Sequence, residues 1–163
     1  MKSRTQGNQA NQTGNQLEGV ISYTFKNKGF EVLMYRQWSK NPGVHSSDLL
    51  LKNVPYNTIY GHKGNTEFLL KSERLDLEIR IECKWQQVAG SVDEKFPYLY
   101  LNCIETMSEN KIFLIVDGDG YKAGALKWLK AAIQERRYQD QASLKDIRVF
   151  SLIEFITWAN KNC

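Results

Sequence analysis

The run Leu77–Gln86, Leu-Glu-Ile-Arg-Ile-Glu-Cys-Lys-Trp-Gln, constrains the fold of this chain more than any other segment. Leu77, Ile79, Ile81, Cys83 and Trp85 alternate strictly with Glu78, Arg80, Glu82, Lys84 and Gln86. A period of two describes a β-strand with one face on a core and a polar face left over. Glu82 and Lys84 therefore share the polar face. Glu67–Ser72 reads as a second strand, and Glu73–Asp76 is a polar connection of hairpin length. With the turn centred on Arg74 and Leu75, Glu67 lies opposite Glu82. Opposed residues project to one face with Cβ atoms roughly 4.5–5.5 Å apart, whereas a slip of one residue would send Glu67 to the other face. In that register two carboxylates and an ammonium converge. The carboxylates repel, so one of them would hold a proton. A divalent cation removes the conflict and suits the site to phosphodiester hydrolysis. Charges at alternate strand positions also mark ordinary solvated faces, so the tripeptide Glu82-Cys83-Lys84 needs its second acid and the closing Gln86 to carry this reading.

The chain of 163 residues, 42% hydrophobic and 12% aromatic, is large enough for one domain with a core that needs no staples. No run approaches the ~20 continuous apolar residues that span a bilayer. No signal peptide opens the chain, and a cytoplasmic protein without membrane partners is expected. Cys83, Cys103 and Cys163 form an odd set without Cys-x-x-Cys spacing, which argues against a disulfide framework or a zinc site. His45 and His62 are too scattered for a histidine-rich metal centre. A net charge of +4 permits nucleic-acid binding through clustered Lys and Arg without requiring it.

Residues 1–14 are mostly polar and basic and read as a disordered tail, leaving 15–163 as a single domain. Asn15 and Glu18 have the spacing of a capping box, opening a helix whose apolar stripe is Leu17, Val20, Ile21 and Phe25 and whose end is Gly29. Phe30–Arg36 reads as a strand. Residues 37–66, punctuated by Pro42, Gly43, Pro55, Gly61 and Gly64, read as a long loop or as a loop holding a short strand at Leu49–Leu51. Ser91–Glu94 has capping-box spacing for a second helix; Pro97 either kinks that helix or begins its regular part. Lys111–Asp117 is the nearly all-apolar run of a central strand. Gly118–Gly124 misses the dinucleotide fingerprint at its third glycine and reads as a tight turn. Tyr121–Tyr138 reads as a helix and Ile147–Phe150 as a strand. Ser151 and Glu154 cap a terminal helix. Helix, three strands, helix, strand, helix, strand, helix implies an α/β fold around a mixed sheet.

With Glu82-Cys83-Lys84 ending the third strand and Glu67 in the second, this order resembles the PD-(D/E)xK nuclease superfamily. The resemblance implies a restriction-endonuclease-like αβββαβ core over roughly residues 15–117, followed by a helix-strand-helix extension. The first acid of that pattern is usually Asp and falls here on Glu67; Asp48 is a fallback. Some members add an acid from the first helix, where Glu18 fits, although Glu18 is also explained as a cap partner. Gln86 resembles an extra polar residue found in some branches. Asp93 and Lys95 stand at the helix end that faces DNA in this fold. By the same resemblance, Glu67, Glu82 and the backbone carbonyl of Cys83 would hold Mg²⁺, with Mn²⁺ as a substitute, and Lys84 would act on the phosphate. The implied activity is a metal-dependent DNA endonuclease, free-standing or a small subunit of a restriction, repair or mobile-element system. Sequence choice would come from a homodimer, a larger recognition subunit or DNA structure. The alternative is an inactive nuclease-like module that binds nucleic acid or protein.

Overall fold

The computed structural model describes residues 4–87 and 93–163, with side chains from residue 14 onward. The elements run α1 (Arg4–Asn27), β1 (Glu31–Met34), the short α2 (Tyr35–Trp38), β2 (Asp48–Asn57), β3 (Lys63–Ser72), β4 (Leu77–Trp85), α3 (Phe96–Glu105), β5 (Lys111–Asp117), α4 (Ala123–Gln134), β6 (Asp146–Phe150) and α5 (Leu152–Asn162). The strands form one six-stranded sheet in sequential order. β2, β3 and β4 pair antiparallel, whereas β1 joins β2, β5 joins β4 and β6 joins β5 in parallel. This is the mixed sheet and restriction-endonuclease-like α/β architecture that the sequence implies.

Each face of the sheet is covered by its own helices. Leu17, Ile21 and Phe25 of α1 and Phe155 and Ala159 of α5 pack on Leu50, Phe68, Leu70, Ile79, Ile81, Cys83, Phe113 and Ile115. Aromatic contacts tie this layer together: Phe113 lies 4.9 Å from both Phe150 and Trp158, and Phe25 lies 6.0 Å from Phe155. On the other face, Phe96, Leu99, Tyr100 and Cys103 of α3 and Leu129 and Ala132 of α4 cover Ile112, Leu114, Val116 and Ile147. β5 contributes to both layers, which explains its unbroken apolar run.

Three expectations are corrected. First, α1 begins at Arg4, inside the segment expected to be a disordered tail, and Asn15 is interior rather than a cap. Once Leu17, Ile21 and Phe25 are docked, extending the helix through proline-free polar residues needs no new nucleus. Val20, expected in the stripe, is 44% exposed. The far end behaves as expected: Gly29 adopts φ +86 and donates its N–H to Lys26 O at 3.1 Å.

Second, the stretch 37–66, read as a long loop or a loop with a short strand at Leu49–Leu51, holds the ten-residue strand β2 and the start of β3, so the sheet gains a strand and β1 is an added edge. β1 pairs only with Leu49–Lys52. Beyond that point β2 has a free side, where the missing N–H of Pro55 costs nothing.

Third, the polar face of β4 is covered: Arg80, Glu82 and Gln86 are 3%, 5% and 6% exposed. Alternation identifies a face, not what lies over it. The proposed Ser91 cap falls outside the described residues, and α3 starts at Phe96 with Pro97 in its first turn.

Candidate active site

The predicted hairpin register holds over Phe68–Ser72 and Leu77–Ile81, with Phe68 opposite Ile81 and Lys71 opposite Glu78. Pairing then stops, although β3 extends back to Lys63 and β4 on to Trp85. The β2–β3 ladder is interrupted at the same level. Lys52 pairs with Phe68 and Val54 with Thr66, while Asn53, at φ +53, is skipped together with Glu67. This break inverts the alternation of both strands. Leu51 and Val54 belong to one cluster, and Phe68 packs under α1 while Thr66 meets Arg80 on the other face. Local departures of this kind re-aim side chains next to functional sites.

Glu67 sits at the break. Its Oε2 accepts the backbone N–H of Cys83 at 2.7 Å, so a carboxylate satisfies a strand donor that the ladder has left free. Lys84 Nζ donates to Glu82 Oε1 and approaches Cys83 O at 3.5 Å. The second oxygen of Glu82 is buried and has no partner among the described residues. On the other face Leu17 belongs to the cluster that contains Cys83, which brings its neighbour Glu18 toward the same sheet end.

The electrostatics follow from this crowding. Burial, and then the charge of Glu82, push the Glu67 carboxyl up to about 7. Glu18 is raised by burial and by Glu67, against the pull of Lys52. Burial raises the Cys83 thiol, with Glu67, Glu82 and Glu18 adding to it. For Lys84, burial acts downward, but Glu82 and Glu67 outweigh it and the ammonium rises to about 12. Glu67 and Glu82 thus share the field of the half-buried Lys84, while Glu18 adds to the field of Glu67 and is opposed by Lys52. Among the described residues, no three His, Cys, Asp or Glu side chains stand close enough to hold a metal ion as placed.

Lys84 bonds Glu82, Glu67 feels both, and Glu18 is linked to the group only through the charge of Glu67; the cap explanation of Glu18 falls away because Asn15 is inside the helix. Gln86 serves a turn: its Nε2 donates to Gly120 O at 2.9 Å, and its backbone carbonyl accepts Gly120 N–H at 2.8 Å. A Cβ at Gly118 would lie 2.2 Å from that carbonyl, so only glycine fits there. Asp48 is not in the site. It pairs with Ser72 at the C-terminal end of β3, away from the mid-strand Glu67, and binds the Ser72 hydroxyl and Arg74 Nε, the latter at 3.1 Å. Asp93 Oδ2 accepts Lys122 N–H at 3.3 Å, next to the start of α3.

The sequence reading missed Tyr56. Burial and Glu82 lift its hydroxyl to about 12, and Lys84 also acts on it. Its signal was lost because residues 37–66 read as loop. No helix among the described residues is long and apolar enough to cross a membrane. Comparisons with curated proteins and with solved structures return no match. A family model described as a PD-(D/E)XK nuclease superfamily domain matches residues 9–163. The match takes in α1 from residue 9 onward, the break in the sheet and the Glu82-Cys83-Lys84 strand end, and the chain belongs to the PD-(D/E)XK nuclease superfamily.

Proposed function

We propose that this nuclease domain is a metal-dependent DNA endonuclease that hydrolyses phosphodiester bonds. The observation that carries the reading is the crowding of negative charge at the sheet break, where Glu67 and the buried Glu82 are set against Lys84, and Glu18, opposed by Lys52, adds to the field of Glu67. The residues fit a hard divalent cation, Mg²⁺ with Mn²⁺ as substitute. Every donor offered is an oxygen, and Glu82 Oε2 lacks a partner among the described residues. Glu67, Glu82 and the carbonyl of Cys83 would hold the ion, with Glu18 as a further carboxylate. When bound, it supplies Lewis acidity toward the phosphate and an acidified water.

The chain's own groups do the remaining work. Lys84, kept charged by its acidic neighbours, would orient the attacking water and neutralise charge on the reacting phosphate. Glu67, at about 7, carries a proton near neutrality and releases it once positive charge reaches the pocket. Gln86 would act by holding the strand end to the Gly118–Gly120 turn. Residues 15–163 form the catalytic unit in this proposal.

Supercoiled plasmid incubated with the protein is expected to be nicked or linearised with Mg²⁺ or Mn²⁺ and left intact in EDTA. Plasmid retarded on a gel but uncut with either metal would instead identify a binding module without cleavage.

A further inference from the structure

An exposed aromatic stack stands on the connection between β2 and β3. Tyr60 is 68% exposed. Its ring lies on that of Tyr98 in α3, with centroids 5.1 Å apart and planes 26° from parallel. His62 meets Tyr60 at 6.2 Å in an edge orientation.

The support beneath this stack is stiff. Thr58 N–H donates to His62 O and Gly61 N–H to Thr58 O, both at 2.8 Å. Ile59 N–H donates to Asn102 Oδ1 at 2.9 Å, and Asn102 Nδ2 donates to Tyr98 O at 2.8 Å. One fully buried amide therefore ties the loop that carries Tyr60 to the helical turn that carries Tyr98. Tyr56 leads inward from this pair. A Cβ at Gly64 would stand 3.0 Å from its ring, and its hydroxyl lies within the field of Tyr98, Glu82 and Lys84. Exposed Lys63 and Lys95 adjoin the two aromatic segments in sequence.

A tyrosine already stacked on one side offers one open π-face, held in place without further loss of rotamer freedom. Every nucleobase can use such a face, whereas bases inside a duplex have theirs covered by neighbours. We propose that Tyr60, backed by Tyr98, is a stacking platform for an unpaired nucleobase, so that the strand delivered to the Glu82–Lys84 pocket is single-stranded or locally unpaired. The proposal rests on the nuclease reading for the nature of its ligand and adds the class of nucleic acid recognised.

The test is binding in EDTA, where cleavage plays no part. Fluorescence anisotropy would compare short single strands of DNA and of RNA with the matching duplex, for wild type, Tyr60→Ala and Tyr60→Phe. Tyr60→Ala is expected to weaken single-strand binding by about 10-fold or more and duplex binding by less than about 2-fold, the effect on phosphate contacts alone being small. Tyr60→Phe keeps the ring and is expected to bind as wild type does. A 2-aminopurine strand should be quenched by wild type and Tyr60→Phe but not by Tyr60→Ala. The DNA and RNA arms identify which strand is held. Equal losses on single strand and duplex, no loss on either, or a wild type that prefers the duplex would overturn the proposal. Such a result beside intact metal-dependent plasmid cleavage leaves the nuclease reading standing; quenching without cleavage does the reverse.

Discussion

Arg80 and Glu82 stand two positions apart on the same face of β4, both buried, and their charges are handled in opposite ways. Arg80 is closed one for one. Its Nε and Nη2 donate to the two oxygens of Glu109 at 2.5 and 2.8 Å, and Nη1 donates to Thr66 Oγ1 at 3.1 Å and Val54 O at 3.2 Å. The ring of Tyr56 lies 5.9 Å from the guanidinium. Glu82 has Lys84 on one oxygen, nothing among the described residues on the other, and the charge of Glu67 beside it. A buried charge is stable when paired and hydrogen-bonded and costly otherwise. The matched pair fastens the connection between α3 and β5 to the sheet, whereas the unmatched cluster keeps a deficit that a ligand can fill. Perturbed carboxylates in such a cluster are expected at a functional site.

The contrast is broken most severely on its matched side. Glu109→Ala leaves the Arg80 guanidinium buried without its partner, and should cost about 3–5 kcal/mol in urea denaturation. Glu67→Gln should do the opposite, because it removes a repulsion rather than an attraction. With Glu67 raised from 4.5 to about 7, the folded state binds the extra proton between those values. Wild-type stability therefore falls as pH rises through that window, by about 3 kcal/mol. The Gln variant should flatten this slope in melts run across the window.

Glu109 predicts the reverse sign. Burial pushes its carboxyl up, but the bonds and charge of Arg80 outweigh this and hold it below 4.5. Its contribution is present above that value and lost as pH falls through the lowered one. Smallest of all is Lys71→Ala. It removes the pair with Glu78, whose carboxylate side chain is 56% exposed, and should change stability by less than about 1 kcal/mol.

The legible parts of this molecule are those where one physical rule acts alone. The alternation in β4 and the polar turn at Glu73–Asp76 were enough to set the Phe68–Ile81 register. Ser151 and Glu154 do form a reciprocal cap on α5. β2 was hidden because two rules overlap there. Leu49–Leu51 is covered on both faces and shows no period, and Asn53 then inverts the alternation just before Pro55. The same break changed the site. Glu67 was placed opposite Glu82 by extending a regular ladder, yet the ladder ends one pair earlier and the carboxylate binds the Cys83 N–H instead. The partnership of Arg80 with Glu109 was out of reach because it joins residues far apart in sequence across a covered face, and alternation carries no information about the cover.

The account depends on Glu82 and Lys84 acting on phosphate rather than merely neutralising each other inside the sheet. Single-turnover cleavage of a plasmid in Mn²⁺, measured for wild type, Glu82→Gln and Lys84→Ala beside their thermal melts, tests this most directly. The account predicts that both variants remain folded and lose on the order of 100-fold or more in rate. Either variant cutting at close to the wild-type rate would contradict it.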